Sequence, residues 1–221
     1  MTSSTRQLWI LAAMRALRHF YLAYLAKPAG DRVLYRTLRQ HCCQSIVEIG
    51  IGSIERTERP LKMAAHRNGA LPRYAAIDGF DLRADAALPL KDSFKRLRSK
   101  AEKLRLLPGD PGAVLPQAAN DLLGVDLLLF TADAFASMTP TAWFFVPRML
   151  KDGTLDQLEP VRAKSNRRGK SQRSDKSKIT AAETRIFVED RDKDGALIHR
   201  PVSIDEVKLL AAGGMPRRAA A

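Results

Sequence analysis

The sequence predicts an α/β fold: a doubly wound, mostly parallel sheet with helices on both faces. Short apolar runs and helix-like segments alternate four times between residues 45 and 155, which is typical of parallel sheets. The 221 residues are enough for one sizeable core. Hydrophobic residues make up 45% of the chain and charged residues 28%, as in ordinary globular proteins.

The N-terminal segment, residues 1–40, is predicted to be helical and to pack on the core. Residues 8–26 are largely apolar, but Arg15, Arg18 and His19 interrupt them. These interruptions argue against a membrane-spanning helix and against a signal peptide. The spacing indicates an amphipathic helix, whose partner is the protein's own core or, alternatively, a membrane surface.

The core, residues 41–158, is predicted to contain four strand–helix units. Strands are short apolar runs between turn residues, and helices have apolar residues three or four apart. The predicted elements, in order, are a strand at Ser45–Ile49, a helix at Ile54–Asn68, a strand at Arg73–Asp78, a helix over 93–105 with Phe94, Leu97, Ala101 and Leu104 on one face, a strand in the run LRLLP, a helix over 113–124, a strand over 125–133, a helix over 139–150 and a fifth strand near Thr154.

The remaining chain is predicted to contain a flexible basic loop and then a hairpin with a short helix. The loop, residues 159–180, has eight basic residues and one acid between 162 and 178, without apolar periodicity. Residues 181–221 are predicted to complete the same domain with a hairpin turning at Asp194-Gly195. A final helix follows, with Ser203 and Glu206 forming a capping box.

The segment DRDKDG, which begins at Asp190, matches the opening of a calcium-binding loop. The last ligand position of such a loop requires glutamate, but Pro201 stands there. A strand rather than a helix is predicted before it. We therefore predict a polar hairpin turn here and no metal site.

Glycines and carboxylates follow the predicted strands at their carboxyl ends. In a parallel sheet these ends lie along one edge, where ligands bind. Glu55 stands where a dinucleotide-binding motif needs its third glycine, so that motif is absent. The residues at these strand ends are Glu48, Gly50, Gly52, Asp78, Asp110 and Asp133.

The pattern Glu48-x-Gly50-x-Gly52 resembles the first motif of class I S-adenosylmethionine-dependent methyltransferases, and the similarity runs from about residue 45 to residue 155. It implies a Rossmann-like fold with S-adenosylmethionine as cofactor. It also implies that Asp78 holds the ribose, that Asp110 lies beside the adenine, and that Asp133 is a candidate catalytic residue. The implied cofactor-binding residues are Glu48, Gly50, Gly52, Ser53, Asp78, Asp110 and Asp133.

Two functions follow as hypotheses. The first is methyl transfer from S-adenosylmethionine to an unidentified acceptor. The second is a catalytically inactive methyltransferase-like protein that binds RNA or another polyanion through its basic surface. The net charge of +13 favours the second hypothesis, as does Ile54 in place of the family's third glycine, whereas the acids at the strand ends favour the first.

The two cysteines, Cys42 and Cys43, are adjacent, a spacing that suits neither a disulfide nor a zinc site. A reducing environment is therefore expected, and with it a cytoplasmic protein.

Overall fold

A computed structural model describes residues 3–25, 29–83, 88–151, 185–191 and 194–214 of the chain, and the side chains of 3–12 and 15 are not described. The strands are β1 (Ser45–Ile49), β2 (Arg73–Asp78), β3 (Leu104–Pro108), β4 (Leu127–Phe130), β5 (Ile186–Arg191) and β6 (Leu197–Val202). The α-helices are α1 (Ser3–Tyr24), α2 (Asp31–Gln40), α3 (Ile54–Asn68), α4 (Leu90–Leu97), α5 (Pro111–Ala118), α6 (Ala132–Ser137), α7 (Pro140–Met149) and α8 (Ile204–Ala211).

The six strands form one sheet in the order β3-β2-β1-β4-β5-β6. The first five strands are parallel, and β6 runs antiparallel to β5. The strand β1 is central, because β2 pairs with one of its edges and β4 with the other. This α/β arrangement fits a Rossmann-like fold.

Alternate residues of β1 face two separate hydrophobic clusters. Val47 and Ile49 pack in a cluster with side chains of α5, α6, α7 and α8. Ile46 packs in a second cluster with side chains of α2, α3 and α4. All five residues of β1 are buried, and its sequence is apolar except for Ser45 and Glu48.

The structure confirms the predicted bounds of β1, α3 and β2. Their signals are local and agree with one another. The side chain of Ser53 accepts a hydrogen bond from the Arg56 amide at the start of α3, and Gly69 ends the helix in the left-handed conformation. The predicted hairpin is confirmed as β5 and β6, and Ser203 caps α8 as predicted.

Three predicted elements have wrong bounds. The helix expected over 113–124 is α5, which ends at Ala118 and is followed by a 3₁₀ turn. The helix expected over 93–105 ends at Leu97 and a 3₁₀ turn, and Leu104 begins β3, where it pairs with Tyr74. In the sequence, Leu104 fits both the apolar face of a helix and a buried strand. Its pairing with β2 makes it part of a strand. The strand expected over 125–133 is also too long. Thr131 caps α6 through its hydroxyl, so Asp133 lies in the first turn of a helix.

Two predictions fall on residues outside the described ranges: the strand near Thr154 and the basic loop 159–180. The described strand that pairs with β4 is β5, the first strand of the predicted hairpin. The hairpin is therefore a part of the main sheet and lies at its edge.

The N-terminal helices differ in how much they bury. Leu34 and Leu38 of α2 are fully buried in the core. In α1, Ala23 is buried, whereas Met14 and Leu17 are 63% and 69% exposed. Between residues 13 and 24, α1 therefore packs against the other elements through one narrow strip of its surface. Among the described residues, no helix is long and apolar enough to cross a membrane.

A buried carboxylate fixes the amino-terminal end of β1. Oδ2 of Asp126 accepts hydrogen bonds from the amides of Gln44 (2.8 Å) and Ser45 (3.0 Å). The amide of Asp126 in turn donates to the carbonyl of Ser45 (2.9 Å). Asp126 therefore sets the register between β1 and β4 before their regular pairing begins.

Replacing Asp126 by alanine should lower the free energy of unfolding by about 1–3 kcal/mol, because two amides lose their acceptor. Urea denaturation of the wild type and the variant measures the difference. Asp121→Ala is the matched control: Asp121 is exposed and pairs with Arg105 at 2.7 Å. Its loss should change stability by about 1 kcal/mol or less. Equal effects of the two substitutions would contradict the role given to Asp126.

Candidate functional site

Backbone hydrogen bonds join the loops that follow four parallel strands. The amide of Gly50 donates to the carbonyl of Ile77 (2.7 Å), and the amide of Thr131 donates to that of Ile49 (3.0 Å). The amide of Gly109 donates to the carbonyl of Asp78 (2.9 Å). The loops enclose an open depression of about 480 Å³, lined by Gly50, Asp78, Gly79, Leu82, Arg83, Gly109, Asp110, Pro111, Thr131, Asp133, Ala134 and Ser137.

The carboxylate of Asp78 lies at the centre of this edge and is 3% exposed. Its Oδ1 accepts a hydrogen bond from the Ile51 amide (3.3 Å), and its Oδ2 accepts one from the Phe80 amide (3.2 Å). The guanidinium of Arg83 donates to Oδ1 at 2.8 Å and to the Ile51 carbonyl at 3.0 Å. Asp78 therefore connects the loop after β1 to the loop after β2.

The loop after β2 contains a strained residue. Phe80 has a φ of +46°, the one positive φ at a non-glycine residue in the described part of the chain. An aromatic residue pays a steric cost in this conformation, and such residues cluster at functional sites. Complete burial of the ring and the bond from its amide to Asp78 hold it in place. The result is a rigid rim beside Arg83.

Gly50 must be glycine for two reasons. Its φ is +77°, and a Cβ atom there would collide with Oγ1 of Thr131. The loop after β1 therefore crosses directly over the end of β4. Gly50 itself lines the depression.

Gly52 and Ser53 lie on the side of the loop away from the depression. A Cβ atom at Gly52 would lie 2.9 Å from Oε2 of Glu189, on β5. Glu189 is held by Arg56, whose Nε lies 2.8 Å from Oε1. Ser53 caps α3. Neither Gly52 nor Ser53 lines the depression.

The charges around Gly52 extend into a buried cluster. The ring Nδ1 of His199 lies 2.9 Å from Oδ1 of Asp31 and 3.2 Å from the guanidinium of Arg56. The His199 amide also donates to Asp31 (2.8 Å). The cluster joins α2, α3, β5 and β6 behind the loop.

Asp110 and Asp133 both line the depression, and both are exposed. Asp110 caps α5, since its Oδ2 accepts a hydrogen bond from the Ala113 amide (3.0 Å). Asp133 lies in the first turn of α6. Together with Asp78, they place three carboxylates around one opening, facing a single cation among the lining residues, Arg83.

Glu48 points away from the depression, into the layer between the sheet and α3. It is 8% exposed and accepts hydrogen bonds from the hydroxyls of Tyr74 (2.6 Å) and Thr57 (3.0 Å). Burial raises the pKa of Glu48 to about 7, against the opposing effect of these two hydrogen bonds. In this position Glu48 organises the core below the loop.

Three side chains that hold the loops of the site were not predicted: Arg83, Thr131 and Glu189. Arg83 follows Asp78 by five positions, and a short turn can bring side chains at this spacing together. Its positive charge could therefore have indicated an ion pair with Asp78. Thr131 directly follows β4, and small polar residues there often cap helices. Glu189 gave no signal, because its position beside Gly52 depends on how β5 pairs.

No protein-family model matches the chain, and no curated protein is similar to it. Among solved structures, the chain is similar to a universal stress protein crystallised in complex with cAMP. The two share 18% identity with a TM-score of 0.31, over 50% of this chain and 94% of the other. A likeness this weak carries no argument about the ligand.

Among the described residues, no group of three or more His, Cys, Asp or Glu side chains is arranged to hold a metal ion. Cys42 is an exposed free thiol, and Cys43 is a buried one. Burial raises the pKa of Cys43 to about 12, so this thiol is protonated and unreactive near neutral pH.

The raised pKa of Glu48 predicts a pH-dependent stability. Folded Glu48 holds a proton between its ordinary pKa of 4.5 and about 7, whereas the unfolded chain is already ionised there. The free energy of unfolding should therefore fall as the pH rises through this window, by about 1.36 kcal/mol for each unit of pKa shift. Urea denaturation at pH 4.5 and 8 measures this fall.

The variant Glu48→Gln removes the titrating group and keeps the side-chain shape. As the pH rises, the free energy of unfolding of the wild type should therefore fall relative to that of the variant. Wild-type and variant profiles that stay parallel from pH 4.5 to 8 would contradict the assignment.

Proposed function

We propose that this protein is an S-adenosylmethionine-dependent methyltransferase with a doubly wound, Rossmann-like fold, acting on an acceptor not yet identified. One observation carries the proposal: three carboxylates surround an opening at the carboxyl ends of β1 to β4. This edge includes the point between β1 and β4 where the strand order reverses. In open α/β sheets, ligands bind at such points.

The lining of the depression suits a cationic nucleoside ligand. Its volume of about 480 Å³ falls within the range of small-molecule sites, which is roughly 300–1,000 Å³. Asp110 and Asp133 are exposed and supply negative charge toward a sulfonium and an amino group. Asp78 and Gly79 form the wall that receives a ribose.

Arg83 sets a condition on this binding. Its guanidinium already occupies Oδ1 of Asp78 at 2.8 Å, while Asp78 also accepts two amide hydrogen bonds. A ribose hydroxyl that binds here therefore either shares the Asp78 carboxylate with Arg83 or displaces the Arg83 guanidinium from it. The side chain of Arg83 is 28% exposed, so it can turn toward solvent.

When bound, S-adenosylmethionine supplies a methyl group on a cationic sulfur. Protein residues contribute mainly by holding donor and acceptor in line, because methyl transfer needs little covalent chemistry from the enzyme. We assign Asp133 as the candidate proton acceptor, since its carboxylate is exposed at the rim of the opening.

Calorimetric titration with S-adenosylmethionine and with its demethylated product tests the proposal. Both ligands should bind the full chain. If neither gives heat or raises the melting temperature at millimolar concentration, the proposal is wrong. Binding of the cofactor without methyl transfer to any tested acceptor would support the inactive methyltransferase-like alternative.

Replacing Asp133 by asparagine should weaken S-adenosylmethionine more than its demethylated product, which lacks the sulfonium charge. An exposed charge pair contributes about 0.2–1 kcal/mol, so the dissociation constant should rise by a factor of up to about five. Asp205→Asn is the matched control, since Asp205 is also exposed in the first turn of a helix, on α8. Equal losses for both variants would refute a local role for Asp133.

Replacing Asp78 by alanine should weaken S-adenosylmethionine and also destabilise the fold, because hydrogen bonds to charged groups contribute about 1.5–3 kcal/mol each. Arg83→Ala separates the two effects. It leaves the amide bonds of Ile51 and Phe80 to Asp78 in place and frees Oδ1 for the ribose. Calorimetry should show cofactor affinity at least as high as in the wild type. Weaker binding by Arg83→Ala would place the ribose elsewhere.

A further inference from the structure

A second surface, remote from the depression, combines aromatic rings with arginines. Phe20 and Tyr24 of α1 are 43% and 39% exposed, and their ring centroids lie 4.9 Å apart. The guanidinium carbon of Arg39, on α2, lies 5.3 Å from each centroid. Arg36 lies 5.8 Å from the Tyr24 ring and donates to the Ala23 carbonyl (3.2 Å). These contacts keep both rings in place at the surface.

Two adjoining depressions of about 430 and 380 Å³ lie between α1 and α3, and Arg39, which contacts both rings, lines the smaller one. Both are lined by His19 and His66, whose ring centroids lie 4.5 Å apart. Among the described residues, no acid lines either depression. The cations that line them are Arg18, Arg39, Arg59, Lys62, Arg67 and Lys100. We call this surface, with Phe20 and Tyr24, the α1–α3 face.

Within the part of the chain that the structure describes, most of these cations have no ion-pair partner. Lys62 pairs with Glu58 one helical turn away. Arg18, Arg39, Arg67 and Lys100 form no ion pair with any described residue. Such a concentration of positive charge in a groove attracts polyanions, and phosphates that replace its counterions make binding favourable and salt-dependent.

The α1–α3 face is separate from the cofactor depression. The side chain of Asn68, at the end of α3, donates to the carbonyl of Cys43 (2.7 Å), just before β1 begins. His66 therefore lies near the amino end of β1, whereas Gly50 and the cofactor depression lie at its carboxyl end.

We propose that the α1–α3 face binds single-stranded nucleic acid, with phosphates in the groove and bases stacked on Phe20 and Tyr24. Exposed rings beside cations are the usual arrangement for unpaired bases, since every base can stack on a ring. A duplex keeps its bases stacked internally and makes no use of the rings. A membrane is a flat surface and leaves the cations inside the groove, such as Lys100, without lipid phosphates. The inference does not depend on the proposed methyl transfer.

The first test measures how salt affects binding of a fluorescein-labelled, 20-nucleotide single-stranded RNA of mixed sequence to the full chain. Each phosphate contact adds about 0.7 to the log–log slope for single strands. The triple variant Arg18→Gln, Arg39→Gln and Lys100→Gln should therefore reduce the slope by about 2. Anisotropy titrations between 50 and 300 mM KCl give the slopes. Every variant keeps residues 162–178, so their contribution cancels.

A control variant loses the same charge elsewhere: Lys91→Gln, Arg148→Gln and Lys208→Gln. Arg148 lies over the Phe144 ring at 4.1 Å, on α7, so it matches Arg39 in its surroundings. The control should keep the wild-type slope to within about 0.5. An equal drop in both triple variants would overturn the proposal, because binding would then follow net charge alone.

The second test removes one ring. Phe20→Ala should weaken RNA binding about tenfold at fixed salt while leaving the slope unchanged, because one base loses the aromatic side chain on which it stacks. Phe20→Trp should restore affinity, and Phe144→Ala should leave it unchanged. Far-UV circular dichroism and the melting temperature verify that each variant is folded. Unchanged RNA affinity in folded Phe20→Ala would overturn the stacking role.

Two further probes decide the class of partner. A 20-base-pair duplex of the same sequence should bind more weakly than the single strand, and Phe20→Ala should not affect its binding. Vesicles with 30% phosphatidylserine test a lipid surface. If the groove and ring variants weaken vesicle binding but not RNA binding, the proposal is wrong and the face binds membranes. The response to S-adenosylmethionine should match the wild type in all these variants, which separates this test from that of the proposed function.

Discussion

The carboxyl edge of the sheet depends on one buried carboxylate. Asp78 accepts hydrogen bonds from the amides of Ile51 and Phe80 and pairs with Arg83. The loop after β1 and the loop after β2 are therefore both bound to the two oxygens of this carboxylate. A buried charge is tolerated only when it is paired and hydrogen-bonded. The positions of both loops are therefore coupled, and a movement of either loop leaves a charge or an amide without its partner. The shape of the depression follows from this constraint.

The loop after β1 is also held from its other side. Glu189 lies against Gly52, and Arg56 connects it to Asp31 and His199 behind the loop. The loop thus lies between two ionic groups that share no residue. Asp78 and Arg83 line the depression, whereas Asp31 and His199 of the other group are buried.

The sequence predicted those features of the fold whose signals are local. The start of α3 followed from a capping serine, and β1 followed from a short apolar run. The end of α4 was not predictable from spacing, because Leu104 fits a helix face until it pairs with a neighbouring strand. For the site, the sequence pattern predicted that Asp78, Asp110 and Asp133 lie at one edge of the sheet, and all three line the same depression. It could not show that Glu48 turns into the core, since the side-chain direction depends on which layer lies above the sheet.

The two outer strands of the sheet each contain a proline, Pro108 in β3 and Pro201 in β6. Proline donates no backbone hydrogen bond, and proline and charged residues at sheet edges hinder edge-to-edge association. Extension of this sheet by a strand from another molecule therefore meets an interrupted ladder at either end. Aggregation through the edges of the sheet is disfavoured for the same reason.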